Sequence, residues 1–156
     1  MSEYLMELRR EVGHRLLMGV GASVIAVDGD GRVLLQRRSD NGCWDYTGGA
    51  VEPDEPVEDA ARRELYEETG LRAGKLELFD VFSGPDCHFY YPNGDEVSYV
   101  ILLYICRDWS GELRPQPGEV EELRFFAPDK IPDDISPVSR RPLRAWLQAQ
   151  NESKEA

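Results

Sequence analysis

The chain has 156 residues, 41% of them apolar, and a formal net charge of −12; this suits one globular domain and excludes a disordered chain. Eighteen Lys and Arg against thirty Asp and Glu are unfit for capturing nucleic acid or an anionic membrane, so neither is an expected partner. The longest apolar run, Leu16 to Val27, is broken by Gly19, Gly21 and Ser23 and falls short of the roughly 20 residues that a membrane span needs.

Glu3 to Val12 reads as a short helix with Leu5 and Leu8 inward, and Met18 to Val27 as a buried strand. Asp28-Gly29-Asp30-Gly31 supplies a hairpin turn into a second strand, Arg32 to Arg38, and a short segment, Trp44 to Thr47, leads to Gly48-Gly49. From Pro56 to Thr69 strong helix formers run without an interior Gly or Pro, and Gly70 stands as the stop. Three β-rich stretches follow, Lys75 to Phe82, Asp86 to Tyr91 and Val97 to Cys106, the last two joined across the hairpin signal Asn93-Gly94. Leu123 to Ala127 adds a short strand, Arg141 to Gln150 a closing helix, and 151–156 a frayed tail. Strands around one central helix predict a single α/β domain over 1–156. Met1 to Arg15 lacks a secretory pattern, and Cys43, Cys87 and Cys106 lack metal-ligand spacing. The expectation is a cytoplasmic protein with reduced thiols.

The segment that carries chemistry is Gly49 to Leu71, GAVEPDEPVEDAARRELYEETGL. Its helix brings Glu64, Glu67 and Glu68 to positions i, i+3 and i+4, so three carboxylates share one side. Like charges at that spacing repel, and a helix C-terminus disfavours acids. A divalent cation would offset both costs, and an oxygen-only ligand set with no His or Cys nearby points to Mg²⁺ or Mn²⁺ rather than zinc. Gly48 and Gly49 allow close backbone approach, and a carbonyl there can join the same ion.

Gly49, Glu55, Arg63, Glu64, Leu65, Glu67, Glu68, Gly70 and Leu71 match the pattern G-x5-E-x7-R-E-U-x-E-E-x-G-U at every position, with a chance probability of order 10⁻⁷. The chain therefore resembles the Nudix hydrolases. That resemblance implies an α/β/α sandwich around a mixed β-sheet, the box forming a loop–helix–loop. It implies Glu64, Glu67, Glu68 and the Gly48 carbonyl as metal ligands, and Arg63 with Glu55 as a structural brace. It also implies hydrolysis of a nucleoside diphosphate linked to another group X, with Glu64, or a later-loop carboxylate such as Glu119, Glu121 or Glu122, as general base. Many relatives carry proline before the paired glycines; this chain has Thr47, for which a small local change is expected.

Arg37, Trp44, Tyr90 and Phe126 are the foremost candidates for contacting substrate, through phosphate pairing or base stacking. ADP-ribose or a nucleotide sugar is favoured, with a dinucleoside polyphosphate or modified nucleoside triphosphate also compatible. The expected partners are a small nucleotide derivative and at most a second copy of the chain, as a homodimer. A non-catalytic nucleotide-binding or sensing module with the same fold is the competing reading, which the complete box disfavours.

Overall fold

The computed structural model describes residues 2–156. The order is α1 (Glu3–Val12), β1 (Leu17–Ala26), β2 (Val33–Arg38), β3 (Trp44–Asp45), β4 (Thr47–Ala50), α2 (Val57–Thr69), β5 (Arg72–Ala73) and β6 (Glu77–Phe82). A 3-10 turn (Pro85–Cys87), β7 (His88–Tyr90), β8 (Glu96–Cys106), β9 (Trp109–Ser110), β10 (Val120–Phe126), a second 3-10 turn (Pro128–Lys130) and α3 (Pro137–Glu155) follow. The main sheet runs β4-β1-β8-β6 with β7 also on β8; β10-β2-β3 and β5-β9 form two smaller sheets. The β1–β8 pair is parallel and the other ladders are antiparallel, which makes the sheet mixed.

Alternation along β1 divides the core into two layers. Ala22, Val24 and Ala26 pack with Ala60, Ala61 and Leu65 of α2, whereas Ile25 and Val27 pack with Leu5 of α1 and Leu143 and Trp146 of α3. Small side chains on the first face let α2 lie close, and full burial of Leu65 contributes about 1.5–3 kcal/mol. The result is an α/β sandwich with α2 on one side of the sheets and α1 and α3 on the other.

The Asp28–Gly31 turn closes, with Asp28 N–H donating to Arg32 C=O at 3.0 Å. Its flanking strands part after one bridge, Val27 to Val33, because β1 is already flanked by β4 and β8, while β2 pairs with β10 and β3. The Asn93-Gly94 turn does join paired strands, β7 and β8, with Gly94 at φ 90°. Gly70, at φ 80°, ends α2 by donating its N–H to Tyr66 C=O. The segment expected as one strand from Asp86 splits into the 3-10 turn and β7.

The last helix departs from expectation at both ends. It starts at Pro137, because Ser136-Pro137 is the N-cap and first-turn pair, and Pro142 lies inside the helix. It also runs through 151–155, where a frayed tail was expected; Gln148 donates to Glu152 and Ser153 to the Ala149 carbonyl. No helix among the described residues is long and apolar enough to cross a membrane, and all three cysteines are free.

Candidate active site

The loop 51–56 and α2 are tied together by Arg63. Its Nε and Nη2 donate to the two carboxylate oxygens of Glu55 at 3.0 and 2.8 Å, Nη2 also reaches the Ala50 carbonyl at 3.2 Å, and Nη1 donates to Glu64 at 2.8 Å. One planar guanidinium thus joins β4, the loop and the helix, a geometry that lysine cannot copy. Glu55 is held below the usual carboxylate range, chiefly by its hydrogen bonds from Arg63.

Glu64 lies across the backbone of Gly49, where any Cβ would collide with its carboxylate. Glu68, one helical turn on, is partly buried against β4. Gln36 Nε2 donates to it, and the Gly48 N–H, rather than the Gly48 carbonyl, is the group that faces it. Burial, and then the neighbouring Glu64, push Glu68 well above the usual carboxylate range; Glu64 is raised as well, mainly by burial. Two adjoining carboxyls in a low-dielectric pocket disfavour each other's ionisation; Arg63 compensates Glu64 in part, whereas no salt bridge among the described residues reaches Glu68.

Among the described residues no three His, Cys, Asp or Glu side chains converge as a ready-made metal cage. Glu67 is nearly half exposed and drawn toward Arg63 Nη1, 3.6 Å away. The donor chemistry nevertheless fits a hard divalent cation: the side chains offer oxygens only, and a partly buried pair of carboxyls gains from a positive charge. Thr47, in place of the common proline, donates its hydroxyl to the Val24 carbonyl at 3.0 Å and pairs with Val24 in the sheet. The substitution adds a hydrogen bond between β4 and β1 and leaves the glycines in register.

The family model for the NUDIX domain matches residues 17–147. The chain belongs to the Nudix family. Among solved structures, a MutT Nudix hydrolase from Burkholderia pseudomallei is similar at a TM-score of 0.70 and 34% identity, over 81% of this chain and 96% of that one. A MutT-like protein from Streptomyces ambofaciens is 33% identical over 78% of this chain and 72% of its own length. An ADP-ribose pyrophosphatase from Methanocaldococcus jannaschii is 37% identical over 69% of this chain, a stretch spanning 64% of that protein. The protein is a Nudix hydrolase.

The other candidates of this Nudix chain lie apart from the carboxylates. Gln36 faces Glu68, so Arg37, next along β2, points to the opposite face. There Arg37 pairs with Glu121 at 3.1 Å and Glu122 at 3.8 Å, because the bulge between Val120 and Glu122 sets both acids opposite one residue. Glu121 and Glu122 are thereby engaged with Arg37, away from the pocket that holds Glu68, whereas the base candidate Glu64 lies within the box. Trp44 is buried rather than open to a base: it meets Phe126 edge-on at 4.9 Å, with Arg124 at 5.4 Å over its ring. Tyr90 is exposed on β7, beside α3.

Two buried polar residues escaped the sequence reading. Gln36 continues the inward face of Leu34, so a polar side chain at a core position of β2 was the available signal. Asp45 is paired with Gln36 across β2 and β3 and is buried. Burial pushes its carboxyl up to about 6, with Ser139, Arg38 and Ser136 pulling it back only in part. A folded-state value above the unfolded 3.8 means that the folded protein holds the proton more tightly, so stability falls as pH rises from 3.8 to 6. Asp45→Asn removes this cost while its amide can still hydrogen-bond Ser136 and Ser139. Its melting temperature at pH 8 is expected to exceed the parent's by several degrees, from at most about 3 kcal/mol, with the gain gone below pH 4. Calorimetry at the two pH values checks this; equal melting at pH 8 would contradict it.

Proposed function

We propose that this Nudix hydrolase cleaves the diphosphate linkage of a small nucleoside diphosphate derivative with Mg²⁺, ADP-ribose or a nucleotide sugar foremost. The observation that carries the reading is the partly buried Glu64–Glu68 pair set against Gly48 and Gly49, in which Arg63 pairs with Glu64 and no salt bridge among the described residues reaches Glu68. Glu64, Glu67 and Glu68, with Gly48 adjoining, would hold that cation; when bound, it neutralises charge on the diphosphate and lowers the pKa of water.

The remaining steps belong to the chain. Glu64 takes the proton of the water that attacks phosphorus, the new P–O bond forming as the bridging P–O bond breaks. The products are a nucleoside monophosphate and phosphorylated X. Arg63 keeps Glu64 oriented and fixes the loop behind it. The likeness to an ADP-ribose pyrophosphatase supports the substrate class, and the net charge of −12 argues against RNA ends, which favour a basic groove. The free cysteines accord with a cytoplasmic setting.

A panel of nucleotide derivatives incubated with Mg²⁺, each followed by phosphatase-coupled phosphate release and identification of products, tests the proposal. ADP-ribose or a nucleotide sugar is expected to yield a nucleoside monophosphate. Binding throughout the panel without any product would favour the non-catalytic module instead.

A further inference from the structure

A groove of about 770 Å³ lies between the first half of α3 and the turn leading into β7, lined among others by Asp86, His88, Tyr90, Arg140, Arg141 and Arg144. It sits on the α3 layer, across the sheets from the α2 layer that carries Glu64, Glu67 and Glu68. Nothing in the proposed hydrolysis uses it.

Its lining is out of character for the chain. In a protein of net charge −12, three arginines from one helix face this groove, with Asp86 as the one carboxylate in the lining. Arg140 is held by the Ile135 carbonyl at 2.9 Å, while Arg141 is shared between the Ser83 carbonyl and Asp86. Those bonds fix the guanidinium groups in place without neutralising more than one of them. Arg144 takes part in no ion pair or side-chain hydrogen bond among the described residues, so its charge is free for a ligand. Pro137 and Val138 close one end of the groove with the first turn of α3, the positive end of a 19-residue helix.

The second feature is a ring platform. His88 and Tyr90 stack with centroids 4.4 Å apart and planes 15° from parallel, and Tyr90 is 75% exposed. His88 is anchored by Glu96 at 2.9 Å. Side chains two apart on β7 share one face, which places both rings at the groove. An exposed tyrosine backed by a fixed ring is a surface on which a flat heterocycle stacks. The volume also lies within the range of small-ligand sites.

We propose that this groove is a second, metal-independent site for a nucleoside monophosphate, with the phosphate on Arg144 and Arg141 and the base on Tyr90. It is independent of the catalytic reading, since it uses none of the box residues. Stacking tolerates any base, so AMP, GMP, CMP and UMP are the probes, titrated in excess chelator and followed by protein NMR. The expected result is saturable binding of the nucleotides, with shifts confined to α3 and β7, and at least tenfold weaker binding of the matching nucleosides and of inorganic phosphate. Arg144→Ala and Tyr90→Leu are each expected to weaken binding several-fold; Glu68→Gln is expected to leave it unchanged. No binding to the parent in chelator, binding that survives both groove variants, or binding lost in Glu68→Gln would each overturn the proposal. The same titration leaves hydrolysis of the panel substrates as a separate measurement, so failure of one reading does not carry over to the other.

Discussion

Glu68→Gln is expected to lower turnover at least 10²-fold, the lower end for losing a metal ligand or an acid–base group. The variant keeps the side-chain shape but removes the charge that a cation would use. It also removes the repulsion that Glu64 and burial impose on Glu68. The new amide can donate to Gln36 Oε1, a buried acceptor that lacks a partner. The metal-free protein should therefore melt at the parent's temperature or slightly above, even as activity falls. Glu64→Gln should lower the rate comparably while weakening metal affinity less, if its main task is to take the proton. It loses the charge that Arg63 pairs with but also the larger cost of holding that charge partly buried, so its metal-free melting should likewise stay at or slightly above the parent's. Turnover, Mn²⁺ affinity and metal-free melting of both variants separate these roles. Near-parental turnover in both, at subsaturating Mg²⁺, would mean that the carboxylates are a solvated face.

Arg63→Ala is expected to impair both stability and rate. The side chain is one-third exposed and its partner Glu55 about one-fifth exposed, which places the pair between a surface ion pair and a buried one. A loss of about 1–3 kcal/mol follows, below the 3–5 of a fully buried pair. The rate should fall at least tenfold as well, because the Ala50 carbonyl, Glu55 and Glu64 lose their common anchor. Arg63→Lys keeps the charge but not the planar fork, so it should resemble the alanine variant in rate more than the parent. Chemical denaturation together with steady-state kinetics checks both halves; unchanged stability and unchanged rate would remove Arg63 from the account.

What the sequence made legible was local. The i, i+3, i+4 spacing of Glu64, Glu67 and Glu68, the stop at Gly70 and the turn at Asn93-Gly94 are each written within a few residues, and each lies where its spacing indicates. The surroundings of Glu68 are written elsewhere. Gln36 reaches it through the packing of β2 against α2, and Asp45 stands beside Gln36 only through the β2–β3 register, which no short window of sequence contains. The same holds for Glu121, whose partner is set by a bulge, and for Trp44, which looked like an open platform and is sealed by Phe126 and Arg124 from β10. The start of α3 was missed for a different reason: two prolines, Pro137 and Pro142, each fit a first turn, and burial of Ser139 and Leu143 on one face favours the earlier.

The central claim is that the box carboxylates act through a divalent cation. Its most direct test is hydrolysis of the best substrate from the panel after exhaustive chelation, followed by titration of Mg²⁺ into the parent and into Glu68→Gln. The account predicts no turnover in chelator, full recovery of the parent on adding Mg²⁺, and a shifted, much lower curve for the variant. Full turnover by the chelated parent would contradict it.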